Sequence, residues 1–201
     1  MLILLSPSKT QAFETQAPAG AYTEPALLAE SQLLIKELRR LTKKDIGALM
    51  SVSGKIAALN YDRYRGFKTP FTLQNARQAA FAFQGDVYEG LDAENLDEKA
   101  LRFAQGRLRI LSGLYGILRP LDLIQPYRLE MKTKLGNPRG KNLYAFWGDR
   151  LTENLNDELA ALEPKVVINL ASEEYFRAIN VEKLRARLNH AAIQGEKQGG
   201  L

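Results

Sequence analysis

The chain of 201 residues contains no cysteine and one histidine, His190. Without thiols it can hold no disulfide, thiolate zinc site, iron–sulfur cluster or cysteine nucleophile, and a single imidazole excludes any site that needs two. Long apolar runs are missing as well. Met1–Leu5 reaches Ser6-Pro7-Ser8-Lys9 too soon for a signal peptide and lacks a basic leader, and no stretch approaches the ~20 residues of a membrane span. A cytoplasmic location is therefore expected, with no membrane partner, no cofactor and no metal. Internal repeats and low-complexity linkers are absent too. What remains, 45% apolar and 25% charged residues, is globular composition with enough length for a sizeable core.

The net charge of +5 is unevenly spread. Residues 36–68 carry nine Lys or Arg against three Asp or Glu, and residues 102–141 carry nine against two. Local density of positive charge attracts a phosphate backbone whatever the total, although solvated helix faces can account for part of it.

Periodicity assigns the elements. Leu2–Leu5 is a continuous apolar run closed by Ser6-Pro7, which predicts a short buried strand. Residues 11–24 predict a loop, and Leu27, Leu28, Leu34, Ile35, Leu38 and Leu41 a helix over 25–41. Thr42 with Asp45 three residues on opens a helix over Lys43–Met50; Ser51-Val52-Ser53-Gly54 breaks it and Lys55–Tyr64 resumes. Asn75–Phe83 fits helix or strand equally. A helix is expected through Arg109, and Gly113, Gly116 and Pro120 predict a bent, packed turn region over 110–124. Leu143–Leu162 predicts one long helix ended by Pro164, with Trp147 in the core. Val166–Leu170 reads as a second buried strand, and Ala171-Ser172-Glu173-Glu174 opens another helix. His190 reads as a surface side chain, and residues 191–201 as a frayed polar tail after a single domain over 1–190.

Two constellations carry chemistry. Around Gly54, two short helices and a tight turn over 42–64 match a helix-hairpin-helix, in which backbone amides and the dipole of the second helix bind one phosphate without reading bases. Ser53, Gly54 and Lys55 are the candidate cradle, flanked by Lys43, Lys44, Arg63 and Arg65. An ordinary helical hairpin with a solvated basic edge meets the same pattern. The second constellation joins loops at strand ends, where α/β sheets collect ligands. Ser6 and Lys9 follow the first strand and Asn169 and Ser172 end the second, so they converge if the strands are neighbours. Arg119, Tyr127, Arg128 and Glu130 lie in rigid, breaker-rich backbone suited to a preorganised anion pocket; Arg119–Asp122 and Arg128–Glu130 could equally be structural pairs.

The strings Ser6-Pro7-Ser8-Lys9-Thr10, Gly85-Asp86-Val87-Tyr88, Leu111 through Asp122, Gln125 through Met131, Phe146-Trp147-Gly148-Asp149 and Asn169 through Phe176 together closely resemble the family of the peroxide stress response protein YaaA, in order, from Met1 to about Leu188. The resemblance implies a mixed α/β (α+β) fold, a single domain whose mixed sheet is flanked by helices and embeds a helix-hairpin-helix at 42–64. It implies sequence-nonspecific binding of double-stranded or branched DNA, and a role in limiting iron-dependent oxidative damage during peroxide stress. A remote link to modified nucleobases adds the alternative of an enzyme acting on a nucleobase or nucleotide through a Lys9/Arg119/Arg128 pocket. Family members continue beyond residue 201 with further strands, so an open sheet edge is expected here.

Overall fold

Two apolar runs lie side by side at the centre of the molecule. A computed structural model describes residues 1–14 and 20–190. The expected tail, 191–201, and part of the expected loop over 11–24 lie outside the described residues. The elements are β1 (Leu2–Leu5), α1 (Leu28–Leu38), α2 (Lys43–Met50), α3 (Gly54–Gly66), β2 (Arg77–Gln78), α4 (Ala79–Ala82), α5 (Asp86–Leu91), α6 (Glu98–Arg107), β3 (Leu108–Ser112), β4 (Gly116–Leu118), β5 (Leu123–Ile124), α7 (Leu143–Trp147), α8 (Arg150–Ala160), β6 (Val166–Asn169), α9 (Glu173–Phe176) and β7 (Arg187–His190).

The main sheet has the order β4-β3-β1-β6-β7. β1 pairs in parallel with β3 and β6, and β7 is parallel to β6, whereas β4 runs antiparallel to β3. A strand with parallel neighbours on both sides and helices over its faces must be apolar throughout, which is why Leu2 and Leu4 are fully buried. β2 and β5 form a separate two-stranded antiparallel ribbon. The mixed α/β fold flanked by helices matches the expectation from sequence.

Several expectations are corrected. α1 is shorter than 25–41, because beyond Leu38 the chain tightens into three-residue bonds, Arg40 N–H to the Glu37 carbonyl and Leu41 N–H to that of Leu38. Arg109 belongs to β3, not to a helix; pairing of Leu108–Ile110 with Ile3–Leu5 overrides the helical pattern. The segment 110–124 is buried as expected but is built of strands, a β3–β4 hairpin and β5. The helix over 143–162 is broken at Gly148, whose φ of 51° ends α7 before α8 begins. Segment 75–83 holds both alternatives, two residues of β2 followed by α4.

The core explains the most specific string. Gly113 sits so close to Leu129 that an added Cβ would lie 2.2 Å from its carbonyl oxygen, and a Cβ added at Gly116, at φ 74°, would lie only 2.9 Å from Trp147 and Leu151. Trp147, fully buried as expected, donates its indole N–H to the Gly113 carbonyl at 3.1 Å. The Ser112 and Tyr127 hydroxyls bond at 2.7 Å, and the Tyr115 hydroxyl accepts the Gln125 N–H at 2.9 Å. These contacts lock the chain after β5 against the β3–β4 hairpin, and that chain carries the site.

Candidate phosphate-binding cleft

The parallel pairing of β1 with β6 brings their C-terminal ends together. The Ser172 N–H bonds to Ser6 Oγ at 2.9 Å, and the Ser6 and Ser172 hydroxyls are 3.2 Å apart. Two residues beyond Ser172, the Glu174 carboxylate meets Lys132 Nζ at 3.4 Å, and Lys132 in turn meets Glu130 at 3.2 Å. Glu130 also pairs with Lys9 at 3.4 Å and with Arg128 at 3.1 Å. Ser6, Lys9, Arg128, Glu130 and Ser172 are thus brought into one polar group, as the strand-end argument requires.

Three predicted members stand apart from it. Arg119 is at the opposite end of the sheet. Because β4 is antiparallel to β3, with Leu118 opposite Ile110, the residue after β4 returns to the end where β1 and β3 begin. There Arg119 Nε reaches the buried Asp122 at 3.1 Å and its Nη2 the Glu24 carbonyl at 3.1 Å, beside the pair of buried Arg109 with half-buried Glu158 at a separate cavity of about 380 Å³. A single Lys9/Arg119/Arg128 pocket therefore does not exist. Tyr127 lies beneath the cluster with its hydroxyl on Ser112, and burial pushes that hydroxyl far above the ordinary tyrosine range, so it keeps its proton near neutral pH and does not act as a base. Asn169 accepts the Ala171 N–H at 3.0 Å and faces His190 across the β6–β7 register at 3.4 Å, a turn-holding role. His190 is exposed, as read from sequence.

The helical hairpin is well formed. Thr42 and Asp45 make a reciprocal capping box, and Ser51 turns the chain at φ 52°. Ser53 caps α3 by accepting the Ile56 N–H at 3.4 Å, and the Ala57 N–H bonds to the Ser53 carbonyl. The amides of Gly54 and Lys55 have no acceptor among the described residues. Ser51, Ser53, Gly54 and Lys55 are all exposed, and nothing stands within 4 Å of the position a Gly54 Cβ would take. Orphan amides at a helix start, open to solvent, suit an anion.

The basic residues expected around this turn divide into two groups. At 1.5 Å rise per residue, Arg63 and Arg65 lie about 12 and 15 Å along α3 from Lys55. Arg65 stacks on Tyr61 at 3.7 Å from the ring centre and Lys43 approaches the same ring at 5.2 Å, so both belong to the open end of the hairpin, next to the exposed Lys44. Arg63 is half-buried, and loss of solvent lowers its guanidinium below the ordinary value.

Positive charge near the turn comes from elsewhere. A cleft of about 640 Å³ is lined by Ser51 and the end of α2 on one side and by Lys9, Arg128, Glu130, Lys132 and Lys134 on the other. The Tyr64 hydroxyl of α3 bonds to the Arg128 carbonyl, fixing hairpin and basic segment to each other. Burial by itself would raise the Glu130 carboxyl, but the hydrogen bond from Lys132 and the charges of Lys9, Lys132 and Arg128 outweigh it and hold it below the usual value. Lys132 and Lys134 escape a reading by single motifs. The signal that finds them is alternation: Tyr127, Leu129, Met131, Thr133 and Leu135 are buried, while Arg128, Glu130, Lys132 and Lys134 between them are not.

Comparison with known proteins shows which family the chain is similar to. A family model described as peroxide stress protein YaaA matches residues 1–201. A UPF0246 protein of Neisseria meningitidis serogroup A is 54% identical over 199 residues, covering 99% of this chain and 77% of the relative. A UPF0246 protein of Tolumonas auensis is 53% identical over 199 residues, covering 99% and 76%.

Proposed function

The chain belongs to the YaaA family of peroxide stress proteins, and on that premise we propose that it is a DNA-binding protein of the hydrogen peroxide response. It grips double-stranded or branched DNA in the cytoplasm without reading sequence, and it limits iron-dependent oxidative damage by covering the nucleic acid. One observation carries the reading: Ser51, in the turn that leads to the free amides of Gly54 and Lys55, lines the cleft bearing Lys9, Arg128, Lys132 and Lys134. In this reading the turn is a helix-hairpin-helix that holds one phosphate, and the cleft receives the phosphates next to it. The Tyr61 stack with Lys43 and Arg65 is a secondary contact along the same strand.

Binding by phosphate contacts has a thermodynamic signature. Affinity falls linearly with salt on a logarithmic scale, with a slope near −0.9 per phosphate neutralised. Lys55→Glu and Lys132→Glu should each weaken duplex binding and flatten that slope by about one. Unchanged affinity and slope in the double variant would sink the assignment.

A second reading, an enzyme acting on a nucleobase or nucleotide, is favoured by the convergence of Ser6, Ser172, Glu174 and Glu130 at two strand ends. It uses Lys9 and Arg128 as anion ligands and Glu130 as the proton-moving group, without Arg119 and Tyr127. Chemical change in nucleotides or short duplexes incubated with the protein, absent in Glu130→Gln, would select it.

A further inference from the structure

Glu130 occupies the centre of the cationic array. Its Oε1 takes Lys9 at 3.4 Å and Arg128 at 3.1 Å, and its Oε2 takes Lys132 at 3.2 Å. The carboxylate side chain is 14% exposed, whereas those of Lys9 and Lys132 are 61% and 64% exposed on long flexible stems. Arg128 Nε, buried, has no acceptor among the described residues. The carboxylate is therefore the fixed partner and the two lysines the movable ones. Any anion that enters the cleft competes with a resident monoanion for Lys9 and Lys132.

That competition sorts phosphates by charge. An internal phosphodiester carries one negative charge, the same as the Glu130 carboxylate, so taking the lysines from it gains little. A phosphate monoester carries about −1.5 to −2 at pH 7 and has three free acceptor oxygens. It outbids the carboxylate and still has an oxygen for Lys134. A cleft of about 640 Å³ also falls in the range of single small-molecule sites rather than that of a duplex.

We propose that the cleft selects a phosphate monoester, on a nucleic-acid strand end or a free mononucleotide, over an internal phosphodiester, with Glu130 as the group that sets the discrimination. The proposal rests on the phosphate-binding reading above and names the ligand of the cleft, while the turn at Gly54 holds an ordinary backbone phosphate alongside.

The test uses fluorescence anisotropy at fixed ionic strength with a DNA hairpin whose single end carries a 5′-phosphate or a 5′-hydroxyl. Wild type should prefer the phosphorylated hairpin by about tenfold, the scale of a charge difference in a partly desolvated site. Glu130→Gln should narrow the preference to about twofold, chiefly by tightening the hydroxyl probe. Lys9→Gln, on an exposed side chain, should narrow it by weakening the phosphorylated probe, and a thermal melt of each variant confirms folding. Equal affinity of wild type for both probes overturns the proposal, as does an undiminished preference in folded Glu130→Gln. Competition with adenosine 5′-monophosphate identifies the source: displacement as effective as by the phosphorylated hairpin supports a free nucleotide, and displacement by the hairpin alone supports a strand end. If wild type retains neither hairpin at any salt concentration, it is the DNA-binding reading itself that fails.

Discussion

Gly113→Ala is the sharpest test of how the core presents the cleft. The added methyl carbon would lie 2.2 Å from the Leu129 carbonyl oxygen and 3.0 Å from its carbonyl carbon. Both are backbone atoms, so no side chain can swing away. Restoring ordinary van der Waals contact requires the Arg128–Glu130 segment to move by about 1 Å, which pulls on the Tyr64 bond to the Arg128 carbonyl and on the Trp147 bond to Gly113. Overpacking of this kind costs about 1–3 kcal/mol. For a chain of this size each kcal/mol lowers Tm by about 2–4 °C, so a fall of roughly 2–12 °C is expected by calorimetry. The shifted segment carries Arg128 and Glu130, so phosphate affinity measured below the transition should fall as well. Gly106→Ala is the control: its Cβ meets nothing within 4 Å and it lies inside α6, so it should be neutral or stabilising by a few tenths of a kcal/mol. Equal Tm and equal binding in Gly113→Ala and wild type would refute the packing argument and the coupling drawn from it.

Thr42→Ala removes the hydroxyl that caps the Asp45 N–H at the start of α2, while the Asp45 carboxylate keeps the backbone N–H of residue 42; it should cost about 1 kcal/mol, seen as a Tm lower by about 2–4 °C and faster amide exchange confined to the hairpin. Glu130 gives a pH dependence of defined sign. Its folded carboxyl titrates below the ordinary 4.5, so between the two values the unfolded chain binds more protons and stability rises with pH. The Glu130 contribution is complete above about pH 4.5 and is lost as the pH falls through the folded value. The Tm difference between wild type and Glu130→Gln should therefore shrink on acidification below 4.5, and a difference that widens there would reverse the assignment.

Local chemistry made much of this fold legible. The apolar runs at Leu2–Leu5 and Val166–Leu170 read as buried strands and form β1 and the alternately buried β6, and the Thr42/Asp45 pair marked a helix start that is present in full. Several of the errors lie where long-range pairing decides. Arg109 sits in a strand because β1 supplies backbone partners that no local window contains, and Arg187–His190, with no apolar alternation, is a strand because β6 offers an edge. Gly148 looked like one glycine in a helical stripe, yet its positive φ turns the stripe into two helices.

The site shows the same division more sharply. Convergence of Ser6 with Ser172 followed from two strand ends and needed only that the strands be parallel neighbours, which they are. Arg119 failed the same reasoning because direction, not proximity in sequence, decides which end of a sheet a residue occupies. Eight residues separate Arg119 from Arg128, but the first follows an antiparallel strand and the second joins Glu130 and Lys9 at the opposite end of the sheet. The result is two arginine-bearing cavities at opposite ends of one sheet. In one, Arg109 and Arg119 are matched by Glu158 and Asp122, and the charges balance. In the other, Lys9, Arg128, Lys132 and Lys134 face one carboxylate in the cleft lining. Balanced pairs hold structure together, whereas four cations shared between Glu130 and, through Lys132, Glu174 leave charge for a ligand to neutralise. On the proposed function, that imbalance is what assigns the phosphate to the Glu130 end of the sheet, whereas the paired Arg119 end serves the architecture.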